Sequence, residues 1–303
     1  MDISIVIINY NVKDLVIQAL KSIYSFTPNT ISFEVIVIDN QSKDGSQTAI
    51  AQQFPQVILV NNDYNAGFPA ANNQGFRMAK GEYIFMLNPD TEFIEDSLSK
   101  LLQFLKTHSA YSLIAPQLLN SDRSHQLSTW RYPSIASIVG EMFWLNFLTL
   151  KKNYSGQNFN EKFEAESYSG AALFFRKSLL DEIGMLDETM FWIEDIDFCY
   201  RLNKAGHKMC YVPETQIIHH SGQSAKKNYN ISISNQVYNK IKFFKKHYTP
   251  FSTFIVKCIS AMYCIVRFVG FSFLSPFKEM YFLKAQAYLY TLKRVFNPPV
   301  GIQ

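Results

Sequence analysis

Ile3-Ser4-Ile5-Val6-Ile7-Ile8 (residues 3–8) is a nearly continuous apolar run that is rich in β-branched side chains. A run of this kind is typical of a strand that is buried on both faces, as in parallel sheets. Two further apolar runs follow at residues 34–38 and 57–60, and helical spacing separates the three runs at 14–26 and 48–54. The order strand, helix, strand, helix, strand predicts the beginning of a doubly wound α/β domain.

Polar residues come directly after each of these three predicted strands, at Asn9, Asp39 and Asn61. Ligands of doubly wound sheets bind beyond the carboxyl ends of the strands, so we expect these side chains to face a ligand. Asp39 has no turn to make and could accept a hydrogen bond from a nucleobase or a ribose. The loop that it begins, residues 39–46, is equally typical of ordinary turn and N-cap chemistry, and both interpretations stay open.

A glycine and an acid distinguish the next two segments. Gly67 suits a tight turn, and the small residues after it open a predicted helix whose N-terminus could face phosphate. A fourth buried strand, residues 81–87, ends at Asn88-Pro89-Asp90. An acid here can hold a divalent cation against a substrate phosphate, because Mg²⁺ is often held by only one or two protein carboxylates. The alternative is that Asp90 is the N-cap of the helix predicted over residues 97–107.

Residues 191–201 crowd three carboxylates, Glu194, Asp195 and Asp197, among four aromatic side chains. Carboxylates so close together repel one another, and burying them is costly unless something offsets their charge. We interpret the cluster as a catalytic carboxylate placed at the mouth of a pocket. The alternative is a solvated, acidic helix start that exploits the helix dipole.

Charge divides the chain after residue 225. Residues 1–225 carry a net charge of −7, whereas residues 226–303 hold 12 Lys and Arg and one acid, a net charge of +11. This predicts an acidic catalytic domain (1–225) and a basic, aromatic-rich helical tail (226–303) that meets an anionic surface. Nothing resembles a base-reading motif, so no nucleic acid is expected. The four cysteines lack a C-x-x-C pair and no signal peptide is visible, which favours reduced thiols in a cytoplasmic chain.

The tail contains a strongly apolar segment, residues 251–277, that Lys257 and Arg267 interrupt. Its charge-free runs are shorter than the roughly 20 residues that a spanning helix needs. Lys257, Ser260, Cys264 and Arg267 fall on one helical stripe, and apolar residues fill most of the remainder. We therefore expect a basic amphipathic helix in the membrane interface, peripheral on the inner face of the cell membrane. The alternative is a helical pair that packs on the catalytic domain or forms a homodimer.

Seven short motifs together resemble the family 2 nucleotide-sugar glycosyltransferases, most closely the bacterial rhamnosyltransferase-type enzymes of cell-surface polysaccharide synthesis. Each motif alone is weak, but they occur in the order of the family and cover about three quarters of the chain. They are SIVIINYN (4–11), VIDNQSKDGS (37–46), NAGF (65–68), LNPD (87–90), SGAA (169–172), EDIDFCYR (194–201) and HHSGQS (219–224).

The resemblance implies a GT-A fold, a Rossmann-like mixed and mostly parallel sheet flanked by helices, here with a C-terminal helical extension. It also implies a divalent cation, Mg²⁺ or Mn²⁺, held by Asp90 and by His219 rather than His220. Asp90 lies where the metal-binding D-x-D motif of the family ends, and Asn88 replaces its first acid, leaving one carboxylate. The residues expected to bind the nucleotide-sugar are Asn9, Asp39, Asn40, Ser42, Asn65, Gly67, Asn88 and Gly170, with Asp39 reading the base.

The expected reaction is an inverting transfer of a sugar from a nucleotide donor to a lipid-linked saccharide. The suggested sugar is rhamnose, and the suggested donor is dTDP-rhamnose. Asp195 is the predicted base, and its like-charged neighbours Glu194 and Asp197 are expected to raise its pKa. Those two residues and Trp192 are assigned to acceptor binding or to support. The rivals are the same fold as a metal-independent or non-rhamnosyl transferase, and a catalytically inactive nucleotide-sugar-binding or scaffold protein.

Overall fold

The structure is a computed structural model that describes residues 1–143, 154, 156–220 and 229–297. Its strands are β1 (Ile3–Asn9), β2 (Phe33–Asp39), β3 (Ile58–Asn61), β4 (Tyr83–Leu87), β5 (Thr91–Phe93), β6 (Tyr111–Leu119), β7 (Thr129–Trp130), β8 (Ser167–Tyr168), β9 (Ala172–Arg176) and β10 (Lys208–His219). Its helices are α1 (Lys13–Phe26), α2 (Ser46–Gln53), α3 (Phe68–Met78), α4 (Ser97–Thr107), α5 (Ile135–Met142), α6 (Leu179–Ile183), α7 (Glu194–Lys204), α8 (Tyr229–His247), α9 (Pro250–Leu274) and α10 (Glu279–Phe296).

Eight strands form one sheet in the order β3-β2-β1-β4-β9-β6-β10-β5. The pairs β1–β2, β1–β4, β2–β3 and β6–β10 are parallel, whereas β9 is antiparallel to β4 and β6, and β5 is antiparallel to β10. The sheet is therefore mixed and mostly parallel, and the predicted fold class is confirmed. Strands β7 and β8 form a separate two-stranded sheet.

The central strands are buried on both faces, as their apolar runs predicted. Every residue of β1 and β4 is buried, and so are residues 35–39 of β2. Aromatic side chains fill the space between neighbouring strands: Tyr83 stacks on Phe174 with ring centroids 5.5 Å apart, and Phe85 meets Phe174 edge-on at 5.7 Å. Burial of an aromatic ring of this size stabilises a fold by about 2 kcal/mol, so this layer contributes to the stability of the sheet.

The described chain divides into two compact units. One contains residues Met1–Arg131, 154–188 and 194–220, and it includes the whole eight-stranded sheet. The other contains residues 132–143, 189–193 and 229–297, and therefore helices α5, α8, α9 and α10. The boundary predicted after residue 225 falls outside the described residues and stays a prediction.

In the second unit, α9 buries two members of the predicted polar stripe and exposes several large apolar side chains. Ser260 and Cys264 are fully buried, whereas Phe254 is 62% and Phe273 79% exposed. The expectation that the whole stripe shares one environment is therefore wrong, since Lys257 on the same stripe is exposed; the interfacial role of α9 stays a prediction. Small side chains let α9 approach the neighbouring helices α8 and α10 closely, and the large apolar ones are left outside.

The segment Pro250–Phe277 is long and apolar enough to cross a membrane by length and composition alone, with 22% of its most apolar window buried. It carries only two basic residues, Lys257 and Arg267. By length and composition, therefore, the short charge-free runs do not prevent this segment from spanning a membrane, contrary to the expectation from the sequence. Core helices of soluble proteins can meet the same criterion, so the finding is weak evidence for a membrane span.

Candidate functional site

The predicted site residues of the first unit lie along one edge of the large sheet. Asn9 is in register with Asp39, and Asp39 with Asn61, at the carboxyl ends of β1, β2 and β3. His219 ends β10, which runs in the same direction. Gly170 comes just before β9, which runs the opposite way and so begins at this edge. The reversed strand is what brings residues 169–171 to the ends of their parallel neighbours.

Asp39 is completely buried and its carboxylate is bonded within the chain. Oδ1 accepts from the Ser42 backbone N–H at 2.8 Å and from Gln47 Nε2 at 2.7 Å, while Oδ2 accepts from Asn9 Nδ2 at 2.6 Å. The expectation that Asp39 makes no turn is therefore wrong, because the Ser42 bond closes one. A base could reach the carboxylate only if this loop opened, and its base-reading role stays a prediction.

The loops beside Asp39 are linked to one another by polar contacts. Ser42 Oγ accepts from Asn9 Nδ2 at 3.1 Å, and Asn40 Nδ2 donates to the Gly67 carbonyl at 3.5 Å. Asn65 Oδ1 accepts from the Gly67 N–H at 3.0 Å, and Gly67 has a φ of +82° directly before α3. Asn9 Oδ1 is buried and has no hydrogen-bond partner among the described residues.

Asn88, Asp90 and His219 meet at the middle of the same edge. His219 Nε2 lies 3.2 Å from Asp90 Oδ1 and 3.4 Å from Asn88 Nδ2. The adjacent His220 turns away, with its ring nitrogens at Ser121 Oγ (2.8 Å) and Glu92 Oε2 (3.1 Å). Strand alternation explains the difference between the two histidines.

Asp90 is not the N-cap of the following helix, so that alternative is wrong. Asp96 occupies the N-cap of α4 and accepts from the Ser99 N–H at 3.1 Å. Asp90 instead precedes β5, and its carbonyl accepts from the His220 N–H at 2.8 Å. Its carboxylate is thereby left to face His219, with only 14% of its side chain exposed.

The residues around Asp90 fit a divalent cation that is shared with a substrate. In the described part of the chain, no group of three or more His, Cys, Asp and Glu residues could hold a metal ion. Asn88 adds a third polar group, since its buried Oδ1 has no hydrogen-bond partner in that part of the chain. One carboxylate, one amide oxygen and one imidazole leave several positions for phosphate oxygens and water, as Mg²⁺ and Mn²⁺ sites often do.

Backbone hydrogen bonds of residues 170 and 171 connect Asn88 to Asp195 of the acidic cluster. The Asn88 N–H donates to the Ala171 carbonyl at 2.9 Å, and the Gly170 N–H donates to Asp195 Oδ2 at 2.8 Å. A Cβ atom at Gly170 would lie 3.3 Å from Asp195 Cβ and 3.2 Å from Met86 Cε. The small residue that the sequence pattern singled out therefore lets the carboxylate approach the start of β9.

Asp195 is partly exposed at the first turn of α7, where its Oδ1 also accepts from the Ile196 N–H at 2.7 Å. Burial of the carboxyl group raises its pKa, and the backbone hydrogen bonds from Gly170 and Ile196 oppose that rise. The predicted direction agrees with this, and desolvation by burial is the largest cause of the rise. The repulsion predicted from Glu194 and Asp197 stays a prediction.

Asp197 and Glu194 are buried, so the alternative of a solvated acidic helix start is wrong for both. Asp197 Oδ2 accepts from Arg201 Nε at 2.8 Å, one helical turn away. The guanidinium also donates to the backbone carbonyls of Ile183, Gly184 and Met185. In this position Asp197 ties α7 to the end of α6, which is the supporting role; the acceptor-binding role stays a prediction.

Trp192 belongs to the second unit, where it is 44% exposed and has a φ of +77°. Two side chains of α8 hold the short segment around it: Asn239 Nδ2 donates to the Phe191 carbonyl and Lys242 Nζ to the Thr189 carbonyl. A bulky residue with positive φ is strained and persists only where its surroundings impose it. These contacts do not test the acceptor-binding role predicted for Trp192, which stays a prediction.

Three residues of the site escaped sequence reasoning. Arg201 could have been found, because an acid and an arginine four positions apart on a helix are a known pairing. Gln47, which bonds Asp39, lies only eight positions away from it, but nothing in the sequence distinguishes it from other helix-start residues. Gln126 bonds His219 across 93 positions and lies in an irregular segment, so no local pattern could indicate it.

The family model of glycosyl transferase family 2 matches residues 4–184. An N-acetylglucosaminyl-diphospho-decaprenol L-rhamnosyltransferase of Mycobacterium tuberculosis is 28% identical over 207 residues, which cover 63% of this chain and 67% of that protein. A UDP-Glc:α-D-GlcNAc-diphosphoundecaprenol β-1,3-glucosyltransferase of Escherichia coli is 30% identical over 110 residues, 36% of this chain and 43% of that protein.

Among solved structures, GalNAc-T7 with UDP, GalNAc and Mn²⁺ is similar in fold, with a TM-score of 0.60 and 15% sequence identity. The similarity covers 80% of this chain but only 47% of that longer chain. At this identity the likeness concerns the fold alone.

Proposed function

The chain belongs to glycosyl transferase family 2, and we propose that it moves a sugar from a nucleoside-diphosphate donor to a lipid-linked saccharide acceptor in cell-surface polysaccharide synthesis. The observation that carries the proposal is Asp195, a half-buried residue at the polar sheet edge whose carboxylate is held by the Gly170 N–H at 2.8 Å. Transfer by a single displacement needs a base for the acceptor hydroxyl, and Asp195 takes that role. Such a displacement inverts the configuration at the anomeric carbon.

The pKa of Asp195 suits this role. Burial raises the pKa of the carboxyl group, so Asp195 is a stronger base than an ordinary aspartate. A general base works best when its pKa approaches the working pH. The hydrogen bonds from Gly170 and Ile196 leave the carboxylate in one fixed orientation, which lowers the cost of aligning it with a hydroxyl.

The donor would bind along the same edge, at the strand ends on either side of β9. Asp90, His219 and Asn88 would hold a divalent cation, which when bound neutralises negative charge on the leaving diphosphate. Asn9, Asn40, Ser42, Asn65 and Gly67 lie in the loops that would take the nucleotide, and the N-terminus of α3 favours phosphate. Asp39 orders these loops through its contacts with Ser42 and Asn9, and it meets the base once the loop opens.

Rhamnose is the proposed sugar, on the similarity to the L-rhamnosyltransferase of Mycobacterium tuberculosis. Both relatives described above carry diphospho-polyprenol acceptors in their names, which supports a lipid-linked acceptor here. An acceptor of that kind supports a location at the membrane, and the cytoplasmic face is the side that we propose. The exposed apolar face of α9, with Phe254 and Phe273, would contact the lipid, and the basic residues of the tail would contact anionic headgroups.

Transfer from dTDP-rhamnose and other nucleotide-sugars, assayed with and without Mn²⁺ or Mg²⁺, tests the proposal. We expect donor turnover that needs the cation, and a loss of at least about 100-fold in Asp195→Asn, since general-base catalysis contributes roughly that much. Turnover without added cation would favour a metal-independent transferase of the same fold. Binding of nucleotide-sugar without any turnover would favour the inactive binding protein. An Asp195→Asn enzyme with undiminished transfer would rule out the base assignment.

A further inference from the structure

The side chain of Gln126 makes two contacts with His219, at the end of β10, and one with Asn120. Its Oε1 lies 2.7 Å from His219 Nδ1, and its Nε2 donates to the His219 carbonyl at 3.0 Å. Nε2 also donates to Asn120 Oδ1 at 2.9 Å. The Gln126 backbone N–H in turn donates to the Leu118 carbonyl at 2.9 Å, which ties this irregular segment to the end of β6.

The orientation of the Gln126 amide follows from these partners. Reversing it would turn its oxygen toward two other oxygen atoms, so Nε2 must face Asn120 and the His219 carbonyl. Oε1 can only accept, and His219 Nδ1 must therefore carry a hydrogen. With that hydrogen on Nδ1, the lone pair of a neutral ring is on Nε2, the atom that lies 3.2 Å from Asp90 Oδ1.

We propose that Gln126 is a positioning residue: it holds His219 in the Nδ1–H tautomer and aims the Nε2 lone pair at the cation that Asp90 shares. This rests on the proposed function of the edge as a donor–cation site. Histidines that bind metals usually donate their second nitrogen to an oxygen acceptor, which sets the tautomer and raises ligand basicity. The imidazole nitrogen of His219 as a ligand also favours Mn²⁺ over the harder Mg²⁺.

The test measures Mn²⁺ binding to the purified full-length chain by electron paramagnetic resonance, with Mn²⁺ as the only added ligand. Gln126→Leu removes the acceptor at nearly constant volume, and we expect about 10- to 100-fold weaker Mn²⁺ binding. Gln126→Glu keeps an acceptor for Nδ1–H but places a second oxygen against the His219 carbonyl and Asn120 Oδ1, so it should restore only part of the affinity that Gln126→Leu loses. Gln117→Leu is the matched control, because Gln117 is a buried amide in β6 that contacts Gln216 and His125 instead.

A second readout does not depend on metal or activity. The ¹⁵N NMR signals of His219, assigned by their absence from His219→Gln, should show the Nδ1–H tautomer in the unmodified chain and a mixture in Gln126→Leu. The opposite tautomer in the unmodified chain, or Gln126→Leu with unchanged Mn²⁺ affinity, would overturn the proposal. So would an unmodified chain that binds no Mn²⁺, whereas sugar transfer by that chain would still support the proposed enzyme activity.

Discussion

At the scale of single residues, one hydrogen bond and one missing side chain define the proposed base. Gly170 gives its N–H to Asp195 and has no Cβ that would press against it, since such an atom would lie 3.3 Å from Asp195 Cβ. The carboxylate is therefore held close to the protein backbone at the start of β9. This allows its pKa to rise while its oxygens stay oriented, a combination that suits a base.

The pH dependence of transfer is the prediction at this scale. Asp195 must be ionised to act as a base, so activity should fall as the pH is lowered through its pKa. Because burial raises that pKa, the acid limb of kcat/KM should lie above the value of about 3.9 for an ordinary aspartate. The measurement is a pH–rate profile, with circular dichroism at each pH to exclude unfolding.

The same shift has a consequence for stability. The folded chain binds the Asp195 proton more tightly than the unfolded chain does, so the contribution of this group to stability is present at low pH and is lost as the pH rises through its folded pKa. An acid limb at the ordinary aspartate value would contradict both statements.

At the scale of secondary-structure elements, the buried pair of Asp197 and Arg201 links α7 to the end of α6. Asp197 is fully buried, and Arg201, 17% exposed, also donates to the backbone carbonyls of Ile183, Gly184 and Met185. These carbonyls lie at the end of α6, where helix carbonyls lack helical partners. The acidic helix start can stay buried because this guanidinium neutralises one of its carboxylates.

Replacement of Arg201 by methionine should destabilise the fold by about 3 kcal/mol or more, because it leaves the Asp197 carboxylate buried without its cation. The exposed Lys204, on the same helix, is the control, and Lys204→Met should cost less than about 1 kcal/mol. Chemical denaturation monitored by circular dichroism gives both free energies of unfolding. Equal values for the two variants would show that the ion pair does not support this helix.

At the scale of the whole molecule, the tail of net charge +11 includes a helix whose exposed side is apolar. Phe254, Phe273 and Phe277 are 62%, 79% and 75% exposed. An exposed apolar surface of this kind on a described unit marks a contact with lipid or protein. We argue for lipid, because the basic charge of the same tail complements anionic headgroups.

Flotation of the full chain with anionic vesicles tests this surface. Changing all three phenylalanines to serine should abolish flotation, since each ring contributes about 2 kcal/mol when it is buried in lipid. The control is Phe26→Ser, which removes an exposed phenylalanine at the end of α1. Binding by apolar insertion should persist in about 1 M salt, whereas binding by charge alone should not. A triple variant that floats as well as the unmodified chain would contradict the lipid role of this face.

The sequence by itself determined the strands of the central sheet and the polar residues at their ends. Asn9, Asp39 and Asn88 could be located because an apolar run, and the point where it stops, are local properties of the chain. Their meeting at one edge also followed, since parallel strands end on the same side. Fold class and family were therefore predictable before any contact was known.

The tertiary structure alone decided which face of α9 points outward, that Asp39 is bonded within the chain, and that Gln126 reaches His219. Each depends on what packs against a residue: Ser260 is buried because α9 approaches its neighbours through its small side chains. The Gln126–His219 contact spans 93 positions. Contacts of that separation form only when the sheet assembles, and hydrophobic periodicity carries no information about them.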